Sequence, residues 1–140
     1  MIPVGVDQWL AERTPPVAVA LGVTFARGGV DGEDLGWVEG AFVPEAVSGG
    51  PGGVVSAGVL AVALGAAMVL AVDVVAMGSG PASTITALTL EIDRDPRCDE
   101  TLVVRGEVEG LTRFGGSARA SVSDASGAAI ARAAATLARA

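Results

Sequence analysis

The sequence predicts an α+β domain in which an antiparallel β-sheet covers one long buried helix. Residues 54–72 contain no charged residue, and their only polar side chain is that of Ser56. An uncharged run of this length forms either a membrane span or a helix that protein surrounds on all sides. Three segments later in the chain alternate apolar and polar residues with a period of two, which is typical of antiparallel strands with one buried face. We predict that the buried face of these strands covers the uncharged run.

The composition of the uncharged run favours a buried helix over a membrane span. Small residues dominate it, and these allow neighbouring backbone to approach closely. No Lys or Arg flanks the run to anchor or orient a span, and an acid, Asp73, ends it. Because amphipathic strands follow, we predict a helix from near Ser56 to near Asp73, buried inside a single domain that comprises residues 1–140.

The chain before this helix predicts a short helix and a β-hairpin. Residues 6–13 form the short helix, with Asp7 placed to cap it, and two prolines follow its end. Residues 17–26 are rich in β-forming side chains, and a turn leads from them to a second strand over residues 35–43. We predict that these two strands pair. Residues 44–53, with several glycines and prolines, form the loop that leads to the long helix.

The chain after the helix predicts a sheet. The three alternating segments are residues 84–93, 102–110 and 117–124. Residues 128–138 are rich in Ala, and intrinsic propensity alone would make them a helix. The apolar faces of the three alternating segments comprise Leu88, Leu90 and Ile92; Leu102, Val104 and Val108; and Ala118, Ala120 and Val122.

Composition and charge exclude several classes of function. The 140 residues carry a net charge of −7 with a pI near 4.4, which disfavours binding to a nucleic-acid backbone. Lys and His are absent, which excludes His-dependent catalytic triads, His-bound metals, P-loops and Schiff-base chemistry. The one cysteine, Cys98, has neither a disulfide partner nor a His to activate it. Residues 1–13 lack the basic and apolar regions of a signal peptide, so we expect a cytoplasmic protein.

Residues 50–60, Gly-Pro-Gly-Gly-Val-Val-Ser-Ala-Gly-Val-Leu, resemble a family signature. That signature, Asn-Pro-x-Gly-x-x-His-Gly-Gly-x-Leu, belongs to the hotdog-fold thioesterases, in particular the phenylacetic-acid-pathway acyl-CoA thioesterase group. The resemblance extends through most of the chain downstream. It implies a long central helix wrapped by a curved antiparallel sheet, with residues 128–138 as the closing strand. It also implies that two subunits pair to build the active sites, and we predict a homodimer or a homotetramer.

The resemblance also shows which catalytic groups this chain lacks. In the family, an Asn, a His and an acid nine residues after the His lie at the substrate thioester. These positions fall on Gly50, Ser56 and Gly65 here. The family's helix N-terminus offers backbone N–H groups to the thioester carbonyl, and the corresponding groups around Ala57 and Gly58 are the part of the site that this chain keeps.

Helical spacing places Gly58, Ala61, Gly65 and Met68 along one face of the long helix. If this face lines a site equivalent to the acyl site of the resembled family, that site has an apolar surface in this chain. We therefore expect these four residues, together with Gly50 and Ala57, to be substrate-binding or catalytic positions.

A few polar residues are further candidates. Ser56 could bind a substrate carbonyl, but a Ser at a helix start is expected to be the N-cap. Glu45, in the loop before the helix, is the candidate to replace the missing acid. Arg94 and Arg113, near strand ends, are candidates to bind the phosphates of coenzyme A.

The remaining acidic residues have a simpler interpretation than a site. Asp73 is expected to be a solvated helix end, because it lies about 12 Å along the helix from Gly65. Glu91, Asp93 and Asp95 are expected to form a solvated strand face that Arg94 and Arg97 balance, so we predict no metal site.

Two functions from different classes follow. The first is a thioesterase acting on acyl-CoA or an acyl-carrier thioester, with weak hydrolysis because the family's acid is missing. The second is a hotdog protein without catalysis, which binds an acyl thioester or serves as an assembly or regulatory subunit. Neither function needs a cofactor beyond the coenzyme A moiety of the substrate. The expected partners are the acyl thioester and further copies of the chain, without nucleic acid or membrane.

Overall fold

The structure, a computed structural model, describes residues 5–44, 53–78 and 81–139. Within these residues, three helices and six strands form one α+β unit. The six strands make a single antiparallel sheet in the order β1-β2-β4-β5-β6-β3, and α3 packs against five of them. The predicted architecture, one long helix covered by an antiparallel sheet, is confirmed. The elements are α1 Val6–Arg13, α2 Pro16–Ala20, β1 Val23–Asp31, β2 Leu35–Phe42, α3 Ala57–Asp73, β3 Thr84–Ile92, β4 Leu102–Leu111, β5 Gly115–Ser123 and β6 Ala129–Ala138.

The predicted long helix is α3, and it forms the centre of the core. Its side chains from Leu60 onwards are largely buried. Glycines in the sheet let the helix lie directly on the backbone of the strands. A Cβ atom at Gly106 of β4 would overlap the carbonyl oxygen of Ala67 and lie 2.6 Å from its carbonyl carbon. No helix in the part of the chain that the structure describes is long and apolar enough to cross a membrane.

The strands after α3 follow the predicted alternation. Leu88, Leu90 and Ile92 lie on the side of the sheet that faces α3, opposite alanines of β6 that are buried there. However, Leu88 and Ile92 are each 37% exposed, because β3 is the last strand of the sheet and packs less closely against α3 than the central strands do.

Residues 129–138 form the strand that the family resemblance implies, not the helix that propensity favours. β6 is hydrogen-bonded on both sides, to β5 and to β3. Its alternate residues Ala133, Ala135 and Leu137 are buried in the core. Tertiary pairing and burial therefore override the helix propensity of Ala.

The prediction of one strand over residues 17–26 is wrong. The first part of this segment is the short helix α2, in which Pro16 is at an N-terminal position where its fixed φ suits a helix. The strand begins only at Val23, and it continues through Gly28 and Gly29 to pair with β2. A Cβ at Gly28 would lie 3.0 Å from the Trp37 carbonyl oxygen and 3.4 Å from Val6 of α1, so a side chain there would need its neighbours to shift slightly.

Two smaller predictions also need correction. Asp7 does not cap α1, since the N-cap is Gly5, in a left-handed conformation with φ 77°. Asp73 is not a freely solvated helix end. It is half-buried, and its carboxylate accepts hydrogen bonds from the backbone N–H of Ser83 at 3.1 Å and from the Ser83 hydroxyl. This pair ties the end of α3 to the start of β3.

Candidate functional site

The start of α3 presents free backbone donors at the surface. Ser56 is the N-cap, as predicted, and its hydroxyl oxygen accepts from the N–H of Val59 at 3.3 Å. Its carbonyl oxygen accepts from Leu60. The N–H groups of Ala57 and Gly58 have no hydrogen-bond partner within the described residues, and both residues are exposed. Unpaired donors at the positive end of a helix dipole suit a carbonyl oxygen that gains negative charge.

A loop after β3 packs beside this helix start. The N–H of Val55 donates to Pro96 at 2.8 Å, and the N–H of Cys98 donates to Gly53 at 2.8 Å. The loop brings Arg94 to this end of the molecule. However, the Arg94 guanidinium already binds Glu100 at 2.9 and 2.8 Å and Asp124 at 3.2 Å.

These contacts commit Arg94 to a structural role. The hydrogen bond from Arg94 lowers the pKa of the Glu100 carboxyl, and its pairing with Glu100 and Asp124 raises the pKa of Arg94 itself. Arg97, in the same loop, is the more accessible cation, with a side chain 61% exposed and 3.7 Å from the exposed Asp99.

Arg113 lies at the opposite end of the sheet from Arg94. It is in the turn between β4 and β5, where its guanidinium stacks over the ring of Phe114, 4.6 Å from the ring centroid. Arg94 lies before β4 and Arg113 after it, and a strand of this length spans about 30 Å. A single phosphate group cannot contact both arginines.

An apolar groove runs along α3. We call it the α3 groove, a cavity of about 400 Å³ bounded by Val17 of α2, by Ala61, Gly65 and Val69 of α3, and by Ile85 of β3. Its described lining contains no carboxylate and no basic group. At Gly65, a Cβ atom would lie 3.3 Å from the terminal methyl of Ile85, so the position is close to β3 but not closed by backbone.

The structure brings together part of the predicted apolar face. Ala61 and Gly65 line the α3 groove, and Gly58 lies two turns before Gly65 at the exposed helix start. Met68 is fully buried in the core and does not line the groove. Two other candidates, Glu45 and Gly50, lie outside the described residues.

A second, polar cleft of about 190 Å³ lies at the other end of α3, and sequence reasoning missed it. Its polar lining residues are Arg13, Asp73, Ser83 and Arg139. We call it the Arg13–Arg139 cleft. Ser83 lines both this cleft and the α3 groove, so the two adjoin. No local sequence signal could have found it, because Arg13 and Arg139 are near opposite ends of the chain.

The outer face of the sheet, which points away from α3, carries a larger cavity of about 430 Å³. Its three arginines are already paired: Arg105 with Glu39 at 3.2 Å, Arg119 with Glu107 at 2.7 Å, and Arg132 with Asp93 at 3.3 Å. Because these arginines are already in ion pairs, they have little capacity left to bind a ligand. We therefore interpret the cavity as part of a solvated charged face.

The acidic residues of β3 belong to this outer face. Glu91 and Asp93 are balanced by Arg132, on the neighbouring strand β6, and not by the arginines of the following loop. Among the described residues, no group of three Asp, Glu or Cys side chains is arranged to hold a metal ion.

Comparison with known proteins establishes the fold. No protein-family profile matches the chain, and no curated protein matches it in sequence. A phenylacetic-acid-degradation-related protein of Ralstonia eutropha JMP134, proposed to be a thioesterase, is 24% identical, with 97% of this chain and 99% of that one covered and a TM-score of 0.77.

Two further solved structures agree. The PaaI protein of the E. coli phenylacetic acid degradation operon is 15% identical, with 96% of this chain and 91% of that one covered and a TM-score of 0.80. A thioesterase of Haemophilus influenzae is 19% identical, with coverage of 95% and 86% and a TM-score of 0.73. The chain therefore has the hotdog fold of these thioesterase-like proteins, as the resemblance of residues 50–60 predicts.

Proposed function

We propose that this protein binds acyl thioesters such as acyl-CoA, with the thioester at the start of α3 and the acyl group in the α3 groove. One observation carries the proposal. The N–H groups of Ala57 and Gly58, which have no partner among the described residues, lie on the same helix as an apolar groove lined by Ala61 and Gly65. A carbonyl needs such donors, and an acyl chain needs such a groove. The thioesterase-like structures of the same fold support this choice of ligand.

We further propose that hydrolysis is weak. The described lining of the α3 groove has no acid or base, and Gly65 occupies the position of the family's acid. General acid–base help typically contributes about 10²–10⁴-fold to a rate. Without it, oxyanion stabilisation by the two N–H groups is the main catalytic contribution left. The alternative, a binding or assembly subunit without catalysis, is favoured by the same absence of an acid in the groove.

Binding can be tested with a non-hydrolysable thioether analogue of dodecanoyl-CoA that keeps the carbonyl group, with a methylene group between the carbonyl and the sulfur, titrated by calorimetry. Ala61→Phe should fill the α3 groove and abolish binding. Ala134→Phe makes the same change on the outer face and should bind like the unmodified protein. No saturable binding by the unmodified protein, or equal binding by both variants, would contradict the proposed site.

Catalysis can be tested by restoring the family's residues. Gly65→Asp together with Ser56→His should raise the rate of coenzyme A release, because it restores the family's acid and His. The new side chain at Gly65 can be accommodated, since its nearest neighbour is a terminal methyl of Ile85 that can shift. Ser56→His alone serves as the control, since it removes the N-cap without adding the acid. Should the unmodified protein already hydrolyse acyl-CoA rapidly, Glu45→Gln is the next variant. If activity survived that change too, the assignment of the site would be wrong.

We also propose that the protein is a homodimer or a homotetramer. β3 is the last strand of the sheet, so its outer edge has no partner strand within the described residues. Leu88 and Ile92 of that strand are partly exposed on the side that faces α3. A second copy would cover these groups. Analytical ultracentrifugation should therefore show a dimer or tetramer at micromolar concentration, and a stable monomer would refute the proposal.

A further inference from the structure

We propose that the ligand of the α3 groove carries an anionic group, and that Arg13 and Arg139 bind this group. The inference rests on the proposed function, because it concerns the far end of the same ligand. It names the chemical class of that ligand, an amphipathic molecule with an apolar part and carboxylate or phosphate oxygens.

The first observation is that these two arginines lack ion-pair partners. The protein has nine arginines and sixteen acidic residues, so partners are plentiful. Six of the nine arginines form ion pairs with carboxylates. Arg13 and Arg139 form none with any described residue, and yet they line the same cleft. Two arginines in one cleft that form no ion pair with a described residue are unexpected in a protein of net charge −7.

The second observation is how each cleft residue is held. The Arg13 guanidinium lies 5.9 Å from the ring centroid of Trp9, and Arg139 donates to the carbonyl oxygen of Thr112 at 3.1 Å. The one carboxylate of the cleft, Asp73, is already hydrogen-bonded to Ser83. Among the described residues that line the cleft, two guanidiniums therefore stand against one carboxylate that is already hydrogen-bonded, which is an excess of one positive charge.

Arg13 also has a role within α1. It lies in the last turn of that helix, where a cation interacts favourably with the unpaired carbonyl groups. That role accounts for its position along α1. It does not account for Arg139, which follows β6 and lines the same cleft.

The third observation is that Ser83 lines both the cleft and the α3 groove, so the two lie next to each other. The groove follows α3 from Ala61 to Val69, eight residues or about 12 Å of helix. With one end of the ligand at Gly58, the other end is directed towards Ser83. A purely apolar end would displace water from the guanidiniums without replacing their hydrogen bonds to that water. Carboxylate or phosphate oxygens would form charge-assisted hydrogen bonds with both.

Two parts of an acyl thioester could supply these oxygens. One is a carboxylate at the far end of the acyl chain, and the other is a phosphate of the carrier if the thioester binds in the reverse direction. Three thioether analogues distinguish them. These are dodecanoyl-pantetheine, which is neutral, its ω-carboxy counterpart of the same length, and dodecanoyl-CoA, which carries phosphates.

Calorimetric titration of each analogue tests the inference. We expect at least one anionic analogue to bind about tenfold or more tightly than the neutral one, as charge-assisted pairs allow. The double variant Arg13→Gln with Arg139→Gln should lose this gain and keep the affinity for the neutral analogue. Arg27→Gln, which removes one positive charge that is paired with Glu39 and does not line the cleft, should keep the gain. Arg13→Lys retains the positive charge, so this variant should keep part of the gain in affinity for the anionic analogue.

The failures of the two proposals are distinguishable. If the neutral analogue binds and neither anionic analogue binds more tightly, the anionic group is refuted while the α3 groove stands. A gain that persists in the folded double variant would show that other residues bind the anion. If none of the three analogues binds, the proposed function itself fails. Circular dichroism and thermal melting confirm that each variant is folded.

Discussion

The contact between α3 and β4 depends on the absence of a side chain at Gly106, and Gly106→Ala should break it. A Cβ atom there would overlap the carbonyl oxygen of Ala67 and lie 2.6 Å from the carbonyl carbon and 2.9 Å from the Cβ of the same residue. Two of these three atoms belong to helix backbone, which cannot rotate away as a side chain would. α3 must therefore move off the sheet as a unit, with the loss of packing along its length.

The expected cost follows from this geometry. Overpacking a core typically destabilises a protein by about 1–3 kcal/mol, and a clash with backbone is at the upper end of that range. With a urea m-value of about 2 kcal/mol/M, a loss of about 3 kcal/mol lowers the unfolding midpoint by roughly 1.5 M. The corresponding fall in Tm for a domain of this size is roughly 10 °C.

The assay is urea unfolding followed by circular dichroism at a fixed protein concentration, since self-association would otherwise change the midpoint. Gly110→Ala is the matched control. It makes the same change in the same strand, where the nearest atom to the new Cβ, the Ser117 hydroxyl oxygen, is 3.9 Å away. We expect the control to be neutral or slightly stabilising. An unchanged urea midpoint for Gly106→Ala would refute the close contact between α3 and the backbone of β4.

Three further predictions concern single hydrogen-bonded groups. Ser56→Ala removes the N-cap of α3 and should cost about 1 kcal/mol in unfolding free energy, while any residual hydrolysis rate stays unchanged. Asp73→Ala leaves the buried Ser83 without its acceptor and should cost about 1–3 kcal/mol, measured by urea unfolding; a smaller loss would mean that water replaces the carboxylate. The hydrogen bond from Ser126 is the largest cause that lowers the pKa of Asp124 to about 2, from an ordinary value of 3.8. This stabilisation is fully present above the unfolded pKa and is lost as pH falls through about 2. Asp124→Asn should therefore lower Tm at pH 7 and have little effect near pH 1.5, and equal losses at both pH values would contradict the assignment.

Much of the fold could be predicted because its signals are local. The uncharged run and the capping Ser56 define α3, and period-two alternation defines β3, β4 and β5. The segment of residues 17–26 could not be predicted in this way. Its β-branched residues favour a strand, but Pro16 favours a helix start, and the register of β1 is decided by its pairing with β2.

The candidate site was predictable only in part. Helical spacing correctly placed Ala61 and Gly65 in one groove. It could not show that Met68 faces the core, because α3 is apolar all round and its sequence carries no signal of which side is covered. The Arg13–Arg139 cleft depends on the packing of distant segments, which no short sequence pattern encodes.

The strand order has a consequence for how the chain folds. β1 and β2 form a local hairpin, and β4, β5 and β6 form a local meander, so each can assemble early. In the sheet, the two halves join where β2 pairs with β4, from Phe42 opposite Leu102 to Trp37 opposite Glu107, and all of α3 and β3 lies between these two strands in sequence. Contacts of such long range slow folding, because the loop must close before the pairing can stabilise it. Until that junction closes, the most apolar segment of the chain has no complete sheet to cover it, and collisions between chains during this step favour aggregation.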